Sequence, residues 1–392
     1  MGVGLINKIK YSKILYNIYF YLGSFSLNIL KWVIPTNNRL IVFNSFGGRK
    51  FDDSPKAIYE AMIADQRFKD YDLVWAFINP EAYDVPVGRK IKSDTLTYFI
   101  TLLKARVWIS NSALERGLKF KGRKTFYLNT WHGTPIKKMG KDIDVSNKSF
   151  VGKNGFEAVD VMLAQGTFDR DIFSRVFEIP SDKFAIIGLP RNDELVHSNI
   201  ISHIAKIKKK LGIDPSKKVI LYAPTFREYI KDSGNNCMMA PPIDFSRWEK
   251  AIGTKYTVLF RAHYEVARIM DLPHTPFVKD VSFWPNLNEL MLASDLLISD
   301  YSSIFFDYSI LGRPMLTFAY DYDTYAAKRG MYFDIRKELD TQYLHTEDSL
   351  LQLLSSDKEI NNGSSIKFQK KYIEEYGTAS TKVLDIITTN LL

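Results

Sequence analysis

The sequence predicts an α/β protein built from two doubly wound, Rossmann-like domains. Short apolar segments alternate with segments of helical periodicity from about residue 39 onward, which is typical of a parallel sheet covered by helices. The alternation starts again after residue 188, and 392 residues accommodate two domains of ordinary size. We expect the two domains to face each other across a cleft, with ligands at the carboxyl ends of the strands.

Buried strands are predicted where Val, Ile, Phe and Tyr are concentrated between polar turns. In the first half they cover residues 39–46, 71–78, 105–111, 125–130 and 159–165. In the second half they cover residues 219–225, 256–263, 295–300 and 314–320. Helices are predicted between them at residues 54–68, 95–105, 245–252, 286–294 and 302–312.

The domain boundaries follow from this alternation. We expect a first domain over residues 37–188 and a second over residues 189–346. Residues 347–392 are predicted to be helical, and the last helix can cross back to the first domain. The polar, glycine-containing segment 227–242 is predicted to be a long loop, of the kind that is often functional or mobile.

Residues 1–36 precede the first domain and differ from it in composition. The first 40 residues lack acidic side chains and carry five cations: Lys8, Lys10, Lys13, Lys31 and Arg39. The aromatic run 14–30 is too short and too polar to span a bilayer, which requires about 20 apolar residues. Its composition favours a helix lying in the membrane interface, with a helix packed on the protein body as the alternative.

The composition argues against several classes of protein. The net charge of +9 suggests an anionic partner, but no zinc-finger, helix-turn-helix or RRM pattern indicates nucleic acid. The single cysteine, Cys237, excludes a disulfide framework and a cysteine-based zinc site. The glycine-rich signatures of P-loop and dinucleotide-binding proteins and the Gly-x-Ser-x-Gly elbow of hydrolases are absent.

The first candidate motif is LLISDYSSIFFDYSILGRP, residues 296–314. A predicted strand ends at Asp300, and Ser302 and Ser303 stand where a helix would begin. Unpaired N–H groups and hydroxyls at such a position can bind a phosphate, although helix capping alone would explain the serines. Asp307 lies about one turn further on and faces either the cleft or solvent.

The second motif is LFRAHYEVAR, residues 259–268. Arg261 and His263 are two residues apart at a strand end, so their side chains are expected on the same face. An arginine fork and an imidazole suit a dianionic phosphate, and Arg268 follows in the next turn. A histidine on a strand also occurs for purely structural reasons.

The third motif is NTWHGTPIKKMG, residues 129–140. His132 follows a strand, between a Trp and a Gly-Thr-Pro turn that contains Thr134. An imidazole can take a proton from a hydroxyl near neutral pH. Lys137 and Lys138 can attract an anionic acceptor or remain solvated charges.

Two weaker candidates also follow strands. Arg227, in YAPTFRE, is a plausible anion ligand. The segment YDYD, residues 320–323, contains an Asp-x-Asp pattern without accompanying metal ligands, and we interpret it as loop. No tightly bound cofactor is therefore expected, although Mg²⁺ from solution can assist.

Together these motifs resemble those of the CDP-glycerol glycerophosphotransferases, the teichoic acid primases and polymerases with relatives in capsule synthesis. The resemblance covers residues 39–375 and includes NSFGGRKFDDSPKAIYE at residues 44–60. It implies a GT-B-like fold and transfer of glycerol phosphate from CDP-glycerol, or ribitol phosphate from CDP-ribitol, to a lipid-linked saccharide or polymer, with loss of CMP.

The resemblance also implies roles for individual residues. His132 and His263 match the two functional histidines, and Ser302, Ser303 and Asp307 match the donor-phosphate contacts. Arg227 and Arg268 are less firmly matched, and Arg261, Asp300 and Thr134 lie within the same motifs as candidate substrate contacts. Either histidine can be the general base.

Subclass and location are further expectations from the resemblance. Polymerases of this kind often have a large extra N-terminal region, so the short chain favours a primase-like single addition. A lipid-linked acceptor implies a peripheral protein on the cytoplasmic face of the cell membrane, whose anionic lipids attract lysine. A glycosyltransferase using a sugar nucleotide and a non-catalytic membrane scaffold are the alternatives.

Overall fold

The chain forms two compact units in a computed structural model that describes residues 12–143, 156–196, 200–225, 227, 241–262, 272 and 275–391. The first unit comprises Met1–His132, Gly140–Asp193 and Glu374–Leu392. The second comprises Gly133–Met139 and Glu194–Ile373. Most of the loop predicted at 227–242 lies outside the described residues.

The first unit contains a seven-stranded parallel sheet with strand order β3-β2-β1-β4-β5-β6-β7. Its strands are β1 Asn37–Asn44, β2 Asp72–Phe77, β3 Arg89–Lys92, β4 Ala105–Ser110, β5 Phe126–Asn129, β6 Val161–Ala164 and β7 Phe184–Ile186. The described helices up to this point are α1 Lys13–Val33, α2 Asp53–Ala64, α3 Leu96–Lys104 and α4 Thr167–Phe177. All five strands predicted in this half are present.

The second unit contains a five-stranded parallel sheet with strand order β10-β9-β8-β11-β12. Its strands are β8 Lys218–Ala223, β9 Tyr256–Phe260, β10 Val278–Asp280, β11 Leu296–Ser299 and β12 Met315–Thr317. Its described helices are α5 Ile200–Lys210, α6 Phe245–Ile252, α7 Leu287–Ala293, α8 Ile304–Ser309, α9 Tyr322–Arg329, α10 Ile335–Glu338, α11 Glu347–Ser355 and α12 Gly363–Tyr372. The predicted α/β class is thus confirmed in both units.

The last helix, α13, spans Ala379–Leu391 and belongs to the first unit. Its apolar side chains Val383, Leu384 and Ile387 join the core formed by β1, β2 and α2. The backbone N–H groups of Ala379 and Ser380 donate to the carboxylate of Asp193 at 3.0 and 2.7 Å, which fixes the start of the helix. Burial of its apolar face explains why the C-terminal helix is part of the first unit.

Three strands were not predicted, and each lies at the edge of its sheet. They are β3, β7 and β10, with sequences RKIK, FAI and VKD. An edge strand is covered on fewer sides than a central strand, so it does not require a continuous apolar run. Sequence periodicity therefore detects the central strands and misses these strands of three or four residues, two of which, RKIK and VKD, are also partly polar.

Helix α1 packs on the first unit through one face only. Tyr16, Ser24 and Leu27 are buried, and the Asn28 side-chain amide donates to the Lys119 carbonyl at 2.7 Å. The opposite face exposes large apolar side chains: Ile14, Ile18, Tyr21, Leu22, Phe25, Ile29, Trp32 and Val33. Within the part of the chain that the structure describes, no helix is both long and apolar enough to cross a bilayer.

Candidate functional site

His132 lies at the carboxyl edge of the first sheet, just after β5. Its Nδ1 atom is 2.9 Å from the carbonyl oxygen of Asn111, which directly follows the neighbouring strand β4. A carbonyl oxygen only accepts hydrogen bonds, so Nδ1 must carry the proton. Nε2 then holds a lone pair, and among the described residues it has no hydrogen-bond partner. The ring is therefore set up to accept a proton.

Aromatic rings fix the orientation of this imidazole. The Trp131 ring stacks on it with a centroid separation of 4.0 Å, and the Phe46 ring lies 5.6 Å away. Trp131 adopts a left-handed backbone conformation with φ of 50°, which is rare for a bulky residue. Such strain is commonly found at functional sites, where the surrounding structure holds it in place.

Asn111 connects the histidine to the segment after β1, and sequence reasoning overlooked it. Its side-chain oxygen accepts the Phe46 N–H at 2.7 Å, and its amide nitrogen lies 3.3 Å from the Ser45 hydroxyl. Gly47 and Gly48 follow with φ of 67° and 89°, a conformation that glycine adopts without strain. A buried asparagine directly after a strand was the available signal.

The charges near His132 come from two residues that were also missed, Asp53 and Arg191. Burial lowers the pKa of His132, and the positive charge of Arg191 acts in the same direction. The Asn111 carbonyl and the negative charge of Asp53 oppose this shift. Asp53 and Arg191 form a largely buried ion pair at 2.9 Å. His132 is therefore neutral at physiological pH.

Residues Gly133–Met139 of the NTWHGTPIKKMG motif belong to the second unit. Thr134 is buried, and the carbonyl of Ile136 accepts the Tyr332 N–H at 2.9 Å. The Lys138 N–H donates to the Gly330 carbonyl at 3.0 Å, next to an antiparallel bridge between Lys137 and Met331. The turn thus continues as an extended segment paired with the RGMYFD segment, which the sequence did not reveal.

The segment after β11 holds the predicted phosphate-binding serines. Ser302 and Ser303 are half-buried, and the Ser302 hydroxyl accepts the Ile304 N–H at 3.3 Å. Ser303 directly precedes α8 but makes no side-chain capping bond. The capping alternative therefore applies to Ser302 and leaves the Ser303 hydroxyl uncommitted to the helix. Asp307 is buried within α8, so the solvent-facing alternative for it is wrong.

Arg227 occupies a buried ionic cluster instead of an open anion site. Its guanidinium donates to both carboxylate oxygens of Asp321 at 2.7 and 2.8 Å and to Asp300 at 2.9 Å. Three rings surround the cation at 4.9–5.1 Å: Tyr301, Tyr320 and Tyr325. Burial disfavours the charge, but the two aspartates outweigh it and hold the pKa of Arg227 above its usual value.

These contacts correct two predictions. Arg227 is only 1% exposed, so its guanidinium is directed to Asp300 and Asp321 and is not presented to a ligand. The second oxygen of Asp300 accepts the Thr225 and Tyr301 N–H groups at 2.8 and 2.7 Å, so this carboxylate also serves the protein itself. The YDYD segment is not simply a loop, because Asp321 pairs with Arg227 and α9 begins at Tyr322.

The second predicted histidine, His263, and Arg268 lie outside the described residues. Strand β9 ends at Phe260, three residues before the predicted end of the strand. The Arg261 guanidinium donates to the carbonyl oxygens of Trp284 and Val281 at 2.7 and 3.3 Å. In the described ranges, no group of three or more His, Cys, Asp or Glu side chains is arranged to hold a metal ion.

Comparison with known proteins identifies one family. Residues 26–389 match the profile of the CDP-Glycerol:Poly(glycerophosphate) glycerophosphotransferases. The chain is 34% identical to a teichoic acid glycerol-phosphate transferase of Staphylococcus aureus, covering 90% of this chain and 93% of that protein. It is 31% identical to a teichoic acid poly(glycerol phosphate) polymerase of Bacillus spizizenii, covering 96% of this chain and 97% of that protein.

Solved structures agree with these relatives. The wall teichoic acid polymerase TagF superposes with a TM-score of 0.84 and 29% identity, covering 100% of this chain and 99% of that one. A histidine-to-asparagine variant of TagF soaked with CDPG gives a TM-score of 0.83 at 29% identity, covering 100% and 98%. The likeness to TagF supports the predicted GT-B-like class.

The relatives also bear on the subclass. The chain spans about half the length of the Bacillus subtilis poly(glycerol phosphate) polymerase, 50% of it at 32% identity and 92% coverage of this chain. The Bacillus spizizenii polymerase, by contrast, is matched over nearly its whole length. Chain length therefore does not separate single addition from polymerisation.

The Arg227 cluster leads to a stability prediction. Replacing Asp321 with Asn removes one of the two acidic partners of the buried Arg227 and should destabilise the second unit by about 3 kcal/mol. Each loss of about 1.4 kcal/mol in the free energy of unfolding raises the unfolded fraction tenfold, so amide hydrogen exchange in β8 and β11 should accelerate about 100-fold. Mass spectrometry of peptides from these strands measures the effect in this unit alone.

Asp323→Asn is the matched control, because Asp323 is exposed two residues further along α9. It removes the same charge without touching Arg227 and should leave exchange in β8 and β11 unchanged. Equal exchange rates in the two variants would contradict a stabilising role for the Arg227 cluster.

Proposed function

The chain belongs to the CDP-glycerol:poly(glycerophosphate) glycerophosphotransferase family, and from this membership we propose that it transfers glycerol phosphate from CDP-glycerol to a hydroxyl group of a lipid-linked saccharide or polymer. The acceptor oxygen bonds to the phosphorus of the glycerol phosphate group. The phosphoanhydride bond to CMP breaks, and the hydroxyl proton passes to a base. CMP is the leaving group.

The observation that carries the proposal is the state of His132. A base must be neutral and must present a lone pair to the acceptor hydroxyl. The Asn111 carbonyl fixes the proton on Nδ1, and burial keeps the ring neutral. We therefore propose that Nε2 of His132 takes the proton from the acceptor hydroxyl.

The neighbouring charges support the same step. When Nε2 takes the proton, the ring becomes an imidazolium that the Asn111 carbonyl and Asp53 both stabilise. Arg191 opposes this charge and is itself paired with Asp53 at 2.9 Å. The lowered pKa keeps the base unprotonated in the ground state, while Asp53 moderates the cost of forming the cation.

For the donor, we propose that the hydroxyls of Ser302 and Ser303 bind its phosphates. His263, Arg261 and Arg268 then offset the charge of the phosphoryl group and of departing CMP, which is the main task in phosphoryl transfer. Arg227 acts indirectly, because its contacts with Asp300 and Asp321 hold the start of the Ser302–Ser303 segment. The reverse assignment, with His263 as the base, is the competing mechanism.

Glycerol is favoured over ribitol by the relatives. The chain matches the Staphylococcus aureus glycerol-phosphate transferase over 90% of its length at 34% identity. The ribitol-phosphate relatives of Bacillus spizizenii match at 30% and 28% over 56% and 69% of the chain. We therefore propose CDP-glycerol as the donor. The length of the product distinguishes transfer of a single unit from polymerisation.

The membrane is proposed as the surface on which the acceptor is met. The outward face of α1 exposes Ile18, Phe25 and Trp32, the last of them 89% exposed. A helix that packs on the protein through one face and exposes aromatic and aliphatic side chains on the other suits the bilayer interface. Lys13 and Lys31 are its cations, and no acidic residue lies within it.

The activity prediction concerns His132. His132→Ala should lower the rate of CMP release from CDP-glycerol in the presence of a lipid-linked acceptor analogue by about 10²–10⁴-fold, because the general base is lost. Binding of CDP-glycerol should change little. For the unmodified chain, the rate should fall only below about pH 6.5, since burial lowers the pKa of the base from that value.

Separate reactions with CDP-glycerol, CDP-ribitol and UDP-sugars identify the donor, because only the reaction that contains the true donor releases its nucleotide rapidly. A near-normal rate for His132→Ala would eliminate His132 as the base. Rapid release of UDP from a UDP-sugar, with no CMP from CDP-glycerol, would instead establish a glycosyltransferase.

The interfacial role of α1 is tested with one charge placed at two positions. Phe25→Glu puts a carboxylate on the apolar outer face and should weaken co-sedimentation with lipid vesicles about tenfold or more, given about 1.5–3 kcal/mol for a buried aromatic side chain. Ser26→Glu adds the same charge at an exposed polar position of the helix and should have a much smaller effect. Equal effects would show that the outer face does not enter the membrane.

A further inference from the structure

A cavity of about 450 Å³ lies beside the C-terminal half of α1, within the first unit. Its lining comes from α1, from the segment that begins at Glu115 and from the residues before β6, and it includes Asn28, Lys31, Glu115, Lys119, Lys121 and Glu157. His132 is not part of this lining, so the cavity is separate from the proposed base. Its volume falls within the range that small-molecule sites occupy.

The cavity contains a buried polar group that lacks a partner. Glu115 is 3% exposed, and its Oε2 atom has no hydrogen bond within the described part of the chain. This oxygen has almost no accessible surface. An unsatisfied buried carboxyl oxygen is costly, so a rotation of the Glu115 side chain that brings the oxygen to a hydroxyl of a ligand in the cavity would be favoured. Burial raises the pKa of Glu115 to about 8, so the carboxyl is uncharged at neutral pH and can donate as well as accept.

The formal charges of the cavity balance to a single positive charge. Lys119 pairs with Glu157 at 2.5 Å, and Lys121 pairs with Asp160 behind the lining. The Lys31 ammonium group instead donates to the side-chain oxygen of Asn28 at 2.5 Å, and no acidic partner is present for it among the described residues. One uncompensated cation suits a ligand with one negative charge.

The position of Lys31 indicates where such a ligand comes from. Lys31 and Asn28 lie on α1 next to Ile29 and Trp32, which are 52% and 89% exposed on the outer face. If these apolar side chains insert into a bilayer, the ammonium group beside them lies at the depth of the lipid headgroups.

We propose that this cavity binds the headgroup of a membrane lipid that carries one phosphodiester charge and free hydroxyls. Lys31 pairs with the phosphate, and Glu115 and Asn28 hydrogen-bond to the hydroxyls. The inference rests on the proposed interfacial role of α1 for the position of the lipid. It adds a selectivity among anionic lipids that a charged surface alone does not provide.

The test compares neutral phosphatidylcholine vesicles doped with phosphatidylglycerol or, at equal charge, with phosphatidylserine. The unmodified chain should bind the phosphatidylglycerol vesicles about tenfold more tightly. Both lipids offer a phosphate to Lys31, but only phosphatidylglycerol adds uncharged hydroxyls for Glu115 and Asn28, and such hydrogen bonds have that order of effect. Lys31→Gln should abolish the preference, because the headgroup is then no longer held in the cavity. Lys13→Gln, which removes the same charge from the exposed start of α1, should weaken binding to both vesicles equally and keep the preference.

A pH series gives an independent measurement. Above about pH 8 Glu115 becomes negatively charged, and the preference should decline, whereas Glu115→Gln should remove this dependence. The other charged groups that act on Glu115 are Lys121 and Glu157, and the nearby Tyr98 and Tyr127 phenols have pKa values above their usual range and do not titrate there.

Binding of the soluble headgroup, glycerophosphoglycerol, separates the possible failures. Equal affinity for both vesicles and no binding of the soluble headgroup would overturn the proposal. Binding of the soluble headgroup without a vesicle preference would overturn the lipid source and assign the cavity to a soluble phosphodiester. Failure to bind any vesicle would contradict the interfacial role of α1. In that case the affinity for glycerophosphoglycerol would be compared between the unmodified chain and Lys31→Gln: weaker binding by the variant would support the cavity as a headgroup site, and equal binding would overturn it.

Discussion

The hydrogen bond from His132 Nδ1 to the Asn111 carbonyl is the interaction on which the proposed chemistry depends. It exists because β4 and β5 are parallel neighbours in register, with Ser110 opposite Asn129. Parallel pairing brings the residues after both strands to the same edge of the sheet, so the backbone of one strand end can orient the side chain that follows the other. The tautomer of His132 is thus a consequence of sheet register.

The second unit uses a different device at the corresponding edge of its sheet. Asp300 follows β11 and meets Arg227, which follows β8, the neighbouring strand. Burying these charges has a large desolvation cost, but removing one partner would leave another buried charge unpaired, which costs more. The cluster therefore holds Ser302 and Ser303 in place more firmly than surface contacts would. Both units therefore place their candidate residues where strands end and fix them with buried polar contacts.

Sequence reasoning recovered the central strands, the α/β class and most of the residues at the strand ends, because continuous apolar runs and the turns after them are local signals. It missed Asn111, Asp53 and Arg191, whose importance comes from contacts between segments distant in sequence. It misassigned Arg227, because an arginine after a strand has the same local pattern whether it faces a ligand or two aspartates of the protein itself. The cavity beside Lys31 likewise depends on the packing of α1 on residues 115–121, which no periodicity indicates.

The most direct test of the account is the protonation state of His132 near neutral pH. In a protein labelled with ¹⁵N-histidine, the His132 signal is identified by its loss in His132→Gln. We expect a neutral ring with the proton on Nδ1 and a lone-pair type of ¹⁵N shift for Nε2, as the Asn111 carbonyl requires. A proton on Nε2, or a doubly protonated ring, would contradict the assignment of His132 as a base poised for the acceptor hydroxyl.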